Sequence, residues 1–497
     1  MSILSNFRVT FIINLLFVIA TAILLNSFLN YTEYTLDENG KWHSTKTTLT
    51  GLNGAYAYIF TKNGLSHNHL NIGTWHGYQE VLYKQPLKAD VIHFKYLSFE
   101  KPFSFIINKG DSLSYGISFN YKKDSTCCLY IADAEGKFLY QKFFYAISRN
   151  NEWNDVIIKH SPDSVQLSIN NIFWLQDTFK TPAVIKFGFR GSRNNIFIDD
   201  VSVQDQTGNL LLLENFSPPF KCNLWTCLFI LIWGAGLLFT FNPRFRSSLT
   251  AFNMSVFIAV AVGYWFYYFY LSDRFIGNPD FGSRLKKTVT FDHEDVVCEK
   301  IRNNYSLNDS NPMIMILGSS QTWGAGKTQI NKAYPAVIER NLRNYFHDSS
   351  FTVINTGICG ATAGVLFKDY SQEWYKHKPL LTIIDLSNND TDTSGFKENI
   401  RKFLEFNREQ SIKTLFLAEP NDYTNDSLEI NHRIMKNEGL LYGVKTIETQ
   451  AYLDSVNATG FIWWDHVHMT DYGYHLFANY VTPEIISALK QDSLVLK

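Results

Sequence analysis

The chain has 497 residues, with 45 Lys and Arg against 46 Asp and Glu, and 16% of its residues are aromatic. That length calls for more than one domain. The balance of charge excludes a global field that would draw the chain to nucleic acid or to an acidic surface. Six cysteines, at 127, 128, 222, 227, 298 and 359, show no metal-site spacing with His. Cys298 and Cys359 are a candidate pair if the C-terminal part is exported, although connectivity is not legible in sequence.

Three uncharged apolar runs punctuate the chain: Val9 to Leu29, Cys222 to Phe241 and Ala251 to Leu271. Each is about the 20 residues that an apolar helix needs to cross a bilayer. The first is longer than the apolar region of a signal peptide, about 7–15 residues, and no small-x-small cleavage site follows it. Residues 1–30 are therefore read as an uncleaved anchor, with 222–241 and 251–271 as two further membrane helices. Arg8 precedes the first run, and Arg244 and Arg246 sit between the second and third. The positive-inside tendency places these arginines in the cytoplasm. Residues 30–221 and 272–497 then share the extracytoplasmic side.

Between the first two runs, short apolar stretches alternate with turn residues. Phe103 to Ile107, Leu113 to Phe119, Cys128 to Ala132, Val156 to Ile158, Val165 to Ile169, Ile185 to Phe189 and Ile196 to Val203 read as strands. Many short strands separated by turns predict a β-sandwich over residues 31–215. The stretches Trp153 to Ile158, Val165 to Asn170, Phe187 to Arg190 and Ile198 to Val203 loosely resemble a concanavalin-like jelly roll. The resemblance implies glycan binding on an aromatic-rich face, while the plainer and favoured reading is a spacer or interaction sandwich with aromatic core residues. Asp199 and Asp200 are too few oxygens for a calcium site.

From Met313 onward the pattern changes to alternating strands and helices. Strands are predicted at Met313–Leu317, Thr352–Asn355, Leu380–Leu386 and Thr414–Ala418, with helices at Tyr334–Phe346, Phe396–Phe406 and Tyr472–Leu489. Such alternation implies a three-layer α/β domain, here residues 290–497, built on a parallel sheet. Ligands of such sheets bind beyond the carboxyl ends of the strands. Ser320, Gly360 and Asn389 each follow a predicted strand and should gather at one rim.

Four short blocks stand in order: Gly318-Ser319-Ser320 with Thr322 and Gly324; Asn355 to Gly360; Ser387-Asn388-Asn389-Asp390; and Asp465-His466-Val467-His468 with Thr470 and Gly473. Together they resemble the SGNH hydrolases, the GDSL esterase superfamily, whose domains have a flavodoxin-like parallel sheet. A serine needs an adjacent base to act as a nucleophile, and a base needs an orienting partner. The resemblance implies Ser320 as nucleophile, His468 as base and Asp465 as its partner. It also implies an oxyanion hole made of the Ser320 and Gly360 backbone N–H groups and the Asn389 amide. No metal or organic cofactor is needed for that chemistry. One departure stands out: the acidic residue usual before the nucleophile is Ser319 here. Asp390 is read as fixing its loop, and Cys359 as a neutral buried thiol. Gly324 to Thr328 lacks the earlier glycine of a phosphate-binding loop.

The expectation is a membrane-anchored, extracytoplasmic serine esterase acting on O-acyl groups, foremost O-acetyl, of a surface or extracellular glycan. The alternatives are a polysaccharide O-acetyltransferase fed by an acyl-donor membrane protein, a lipid esterase, and a glycan-binding scaffold without activity.

Overall fold

The computed structural model describes residues 7–29, 34–35, 40–45, 56–60, 69–73, 78–97, 102–121, 126–146, 149, 152–178, 180–192, 196–216, 224–266, 313–422 and 426–490. Helix α1, Phe7–Leu29, carries the first apolar run. The second run is α-helical only over α2, Leu224–Gly236, and tightens into a 3₁₀ turn at Leu237–Phe241. Gly234 and Gly236 weaken the helix there, and Asn242-Pro243 ends it. Helix α3, Arg246–Phe266, starts five residues before the run foreseen from sequence, and 267–271 lie outside the described residues.

Polar side chains link α1 to α3. Asn14 Nδ2 donates to Thr250 Oγ1 at 2.9 Å, and Asn253 Nδ2 donates to Asn14 Oδ1 at 2.7 Å. Ile12, Leu16, Ile19, Ile23, Leu231 and Ile258 point outward and are exposed. Phe7–Leu25 and Arg246–Gly263 are long and apolar enough to cross a membrane; Thr226–Phe241 is shorter.

Residues 34–214 form two antiparallel sheets. The first has nine described strands; its neighbours include Ile196–Gln204, Val91–Leu97, Asn154–Ser161 and Ser164–Ile169. The second runs from Phe138–Tyr145 through Thr126–Asp133, Leu113–Phe119, Phe103–Lys109, Gly188–Ser192 and Tyr78–Tyr83 to Trp42–Thr45. Their facing sides share one core in which Trp42, Phe94, Phe105, Phe187 and Phe189 are buried. Among the described residues, much of the aromatic content of this half is therefore core packing. The strand expected at Ile185 to Phe189 is found at Gly188–Ser192: Ile185 makes only an isolated bridge to Leu87, and Gly188 opens the strand where a Cβ would collide with the Val81 carbonyl. Asp199 is buried, and Asp200 pairs with Lys95 at 3.0 Å.

The C-terminal half holds five parallel strands: β1, Met313–Gly318; β2, Thr352–Asn355; β3, Leu381–Asp385; β4, Lys413–Ala418; and β5, Lys445–Glu448. Their spatial order is β2-β1-β3-β4-β5, the flavodoxin-like order. Helices α4, Tyr334–Phe346, and α5, Asp471–Lys490, cover one face through Val337, Ile338, Leu342, Phe477 and Val481. Helices α6, Thr393–Glu409, and α7, Asp426–Tyr442, cover the other through Phe396, Ile400, Phe403 and Met435. The order reverses between β1 and β3, so a crevice is expected beyond their carboxyl ends.

The two halves touch. Phe461 lies edge-on to Tyr130 and Phe138, with ring centroids 4.9 and 4.8 Å away. Its N–H donates to Gly136 O at 2.9 Å, and Lys137 and Gly460 form an antiparallel bridge. Tyr121 OH lies 3.1 Å from Asn457 O and 3.0 Å from Gly460 O. Lys332 pairs with Glu135. The Arg190 guanidinium sits 4.5 Å from the Phe461 ring centroid while bonding Glu80. Burial works to raise the Glu80 carboxyl, but Arg190 and Lys109 hold it down to about 2.

Candidate active site

The crevice beyond β1 and β3 collects the four blocks. Gly318 ends β1, and a Cβ there would collide with Thr322 and the Asp385 carbonyl. That close approach turns the chain sharply through Ser319 (φ −96°, ψ −146°) into the short helix Ser320–Trp323. Ser320 thus opens a helix, where backbone N–H groups have no carbonyl of their own helix to meet.

His468 faces it. His468 Nε2 is 2.8 Å from Ser320 Oγ, and His468 Nδ1 is 2.8 Å from Asp465 Oδ2. Asp465 Oδ1 accepts the Val467 and His468 backbone N–H groups, each at 2.7 Å. The Asp465 carboxylate is 0% exposed and the His468 side chain 10%. With Nδ1–H donated to Asp465, Nε2 is left as the acceptor turned toward Ser320. The loop closes on itself, with Trp464 N donating to His468 O at 2.8 Å and Trp463 bridging Met469.

The third and second blocks complete the rim. Asn389 Nδ2 donates to Ala361 O at 3.1 Å, which sets the amide beside the Gly360 turn and leaves its second hydrogen for another acceptor. Gly360 has φ +75°, while a Cβ added there would meet nothing within 4 Å. The demand for glycine here is conformational, since L side chains resist this region. Asp390 accepts the Ala363 N–H at 3.2 and 3.1 Å, so it anchors the loop as expected, and burial raises its carboxyl to about 6. Cys359 is partly buried, and burial pushes its thiol up to about 12. Its candidate partner Cys298 lies outside the described residues.

Several supporting residues escape a reading of the sequence. Gln321 Nε2 donates to Val467 O and Pro420 O, both at 2.7 Å, tying the nucleophile's helix to the histidine loop. Gly326, at φ +96°, lets that segment pass against the Met469 carbonyl, where a Cβ would collide. The phosphate-loop-like run is thus a packing element: Thr328 N donates to Asp471 at 2.9 Å, and Tyr474 OH donates to Ala325 O at 2.6 Å. Behind Ser319 lies a buried carboxyl from the end of β4, Glu419, which accepts Ser319 Oγ at 2.7 Å. Asp385, also buried, accepts Thr322 Oγ1 at 2.7 Å and Tyr334 OH at 2.6 Å. Burial raises both acids, and Asp385 adds to the effect on Glu419. No separation in sequence advertises these pairings, because they join positions far apart in the chain.

Chemically, the arrangement offers a hydroxyl at the start of a short helix with an oriented imidazole as its base. Such a set suits nucleophilic attack on a carbonyl carbon, the chemistry that the sequence blocks lead one to expect. No family model matches the sequence, and no curated protein matches it. Solved structures do. A G-D-S-L family protein from Desulfitobacterium hafniense is 19% identical over 35% of this chain and 99% of its own, with a TM-score of 0.31. The acetylxylan esterase Axe2 from Geobacillus stearothermophilus is 18% identical over 35% of this chain and 94% of its own, with a TM-score of 0.31. A two-domain esterase active on acetylated mannans is 20% identical over 40% of this chain and 55% of its own, with a TM-score of 0.32.

Proposed function

We propose that this chain is an SGNH-type serine esterase, anchored in a membrane, that removes O-acyl groups, foremost O-acetyl, from a surface or extracellular glycan. The observation that carries the esterase reading is the unbroken line from Asp465 through His468 to Ser320, with both hydrogen bonds at 2.8 Å.

The steps follow from that line. Ser320 Oγ attacks the ester carbonyl carbon as its proton passes to His468 Nε2. Asp465 stabilises the imidazolium that forms. Negative charge gathers on the former carbonyl oxygen, which meets the N–H groups of Ser320 and Gly360 and the Asn389 amide. The tetrahedral species collapses, the sugar alkoxide takes the proton from His468, and acyl-Ser320 remains. Water then attacks with His468 as base, releasing the carboxylate and Ser320.

The outward apolar faces of α1, α2 and α3 support the anchor. Arg8, Arg244 and Arg246 at their ends support an extracytoplasmic position for the sandwich and the hydrolase. A glycan substrate is supported by the sandwich lying against the hydrolase, next to the histidine loop. The part of its surface formed by Tyr130, Phe138 and Arg190 is, however, already covered by Phe461. Any glycan bound by the sandwich must lie elsewhere on it.

The deciding experiment measures acetate release from an O-acetylated polysaccharide and from 4-nitrophenyl acetate, with Ser320→Ala and His468→Ala as controls. Release by the wild type and not by the variants is the expected result. Acetate transferred to an added acceptor sugar would make the protein an acetyltransferase. Labelling of Ser320 by a fluorophosphonate without acetate release would move the substrate to longer acyl chains or lipid esters. An unlabelled Ser320 would leave only a scaffold role.

A further inference from the structure

Glu419 is fully buried at the carboxyl end of β4, and it touches both halves of the oxyanion-forming rim. Its Oε1 accepts Ser319 Oγ at 2.7 Å, on the residue before the nucleophile. Its Oε2 accepts the Asn388 backbone N–H at 2.7 Å and Ser387 Oγ at 3.2 Å, on the residues before Asn389. Pro420 follows and disfavours helical backbone at Glu419, which restricts how the side chain leaves the strand. His432 Nε2 lies 3.2 Å from Ser387 Oγ, and Asn431 Nδ2 donates to the carbonyls of Ser387 and Asp390 at 2.9 and 2.7 Å, closing the far side of the loop.

One carboxyl group therefore spans the gap between β1 and β3. Two of the three expected oxyanion donors, Ser320 N–H and the Asn389 amide, sit one residue away from its contacts. The sequence pattern lacks an acidic residue at 319; the acid reaches that position from residue 419 instead. A buried carboxyl with so many donors is costly to lose, because each unpaired group retains its desolvation penalty.

We infer that Glu419 is a positioning residue: it clamps the Ser319–Ser320 turn to the Ser387–Asn389 loop and so sets the spacing of the oxyanion donors. The inference rests on the esterase reading above. The clamp works through hydrogen bonds to the two loops, so an amide of the same shape preserves most of it. Burial, which disfavours the ionised form, points the same way.

The test uses the full chain and 4-nitrophenyl acetate, with wild type and Ser320→Ala as references. In Glu419→Ala, kcat should fall about 10- to 100-fold, the scale of displaced catalytic groups, while KM stays within about threefold. Glu419→Gln should recover kcat to within about threefold of wild type. Ser319→Ala, which removes one contact and no charge, should lower kcat about fivefold at constant KM, with a lowered melting temperature from the carboxyl oxygen left unpaired. Wild-type kcat in a folded Glu419→Ala or in Ser319→Ala overturns the inference. So does a Glu419→Gln variant as slow as Glu419→Ala. If the wild type itself fails to turn over while Ser320→Ala behaves identically, it is the esterase reading that falls.

Discussion

Ser320 and His468 stand 2.8 Å apart, yet what fixes each of them differs in kind. Ser320 is held from inside the sheet. Its turn is packed by Gly318, bonded through Ser319 to Glu419 and backed by Asp385, all contributed by β1, β3 and β4. His468 belongs to a loop at the edge of the hydrolase half. Its own bonds to Asp465 close the loop, but the approach to it, Gly460 and Phe461, is seated in the sandwich. Thr470 then ties the far end of the loop back to the carbonyls of Phe461 and Ile462. One half of the site relies on buried polar groups, the other on aromatic packing against a second domain. The first should be sensitive to single-atom changes, the second to loss of volume.

That contrast can be broken first at the histidine. Asp465→Asn keeps the shape but removes the charge and favours the wrong imidazole tautomer, so kcat should fall by about 10⁴-fold. Stopped-flow turnover of an activated ester measures it. On the serine side, Asn389→Ala removes one proposed oxyanion donor and should lower kcat by about 10²–10³-fold with little change in KM. Phe461→Ala removes a partly buried ring from the Tyr130–Phe138 box and should destabilise the protein by about 2–3 kcal/mol, below the full cost of a core phenylalanine. It should also slow turnover about tenfold through the histidine loop. Denaturant melts together with kcat separate these effects; unchanged kcat in a destabilised variant would mean that the sandwich braces the fold and not the site.

The smallest effect is a pH dependence. Burial raises the Asp390 carboxyl to about 6, above its value near 4 in an unfolded chain. Between these values the folded state binds the extra proton, so this group makes stability fall as pH rises from about 4 to about 6. Above that window its cost is fully present. Asp390→Asn retains an acceptor for the Ala363 N–H and should flatten that part of the melting-temperature profile. A variant profile parallel to wild type would show that Asp390 titrates normally.

Much of the serine side was legible because its residues lie in short blocks directly after apolar strands, where topology alone collects them. Asp465 and His468 were legible for a different reason, since they lie only three residues apart. Glu419 and Gln321 were not legible, since their roles are hydrogen bonds to residues about a hundred positions away or more. Phe461 carries no signal in the sequence, because its box belongs to another domain. In the sandwich, Val91–Leu97 was missed because His93 and Lys95 interrupt its apolar residues, although burial alternates along the strand. Strand β5 and helix α7 were also unassigned; β5 has only four residues, Lys445–Glu448, and exposes both ends.

The seat of Phe461 also constrains the path of the whole chain. Residues 34–216 and 313–490 touch, so they occupy one compartment, whichever it is. A chain that leaves the sandwich at 216 and rejoins it at 313 must cross any intervening bilayer an even number of times. Were α2 and α3 both to span a bilayer, they would count as a pair: a there-and-back excursion that returns the hydrolase to the partner it started beside. Losing one of such a pair would make the parity odd and strand the histidine loop on the side of the membrane where its aromatic seat is absent.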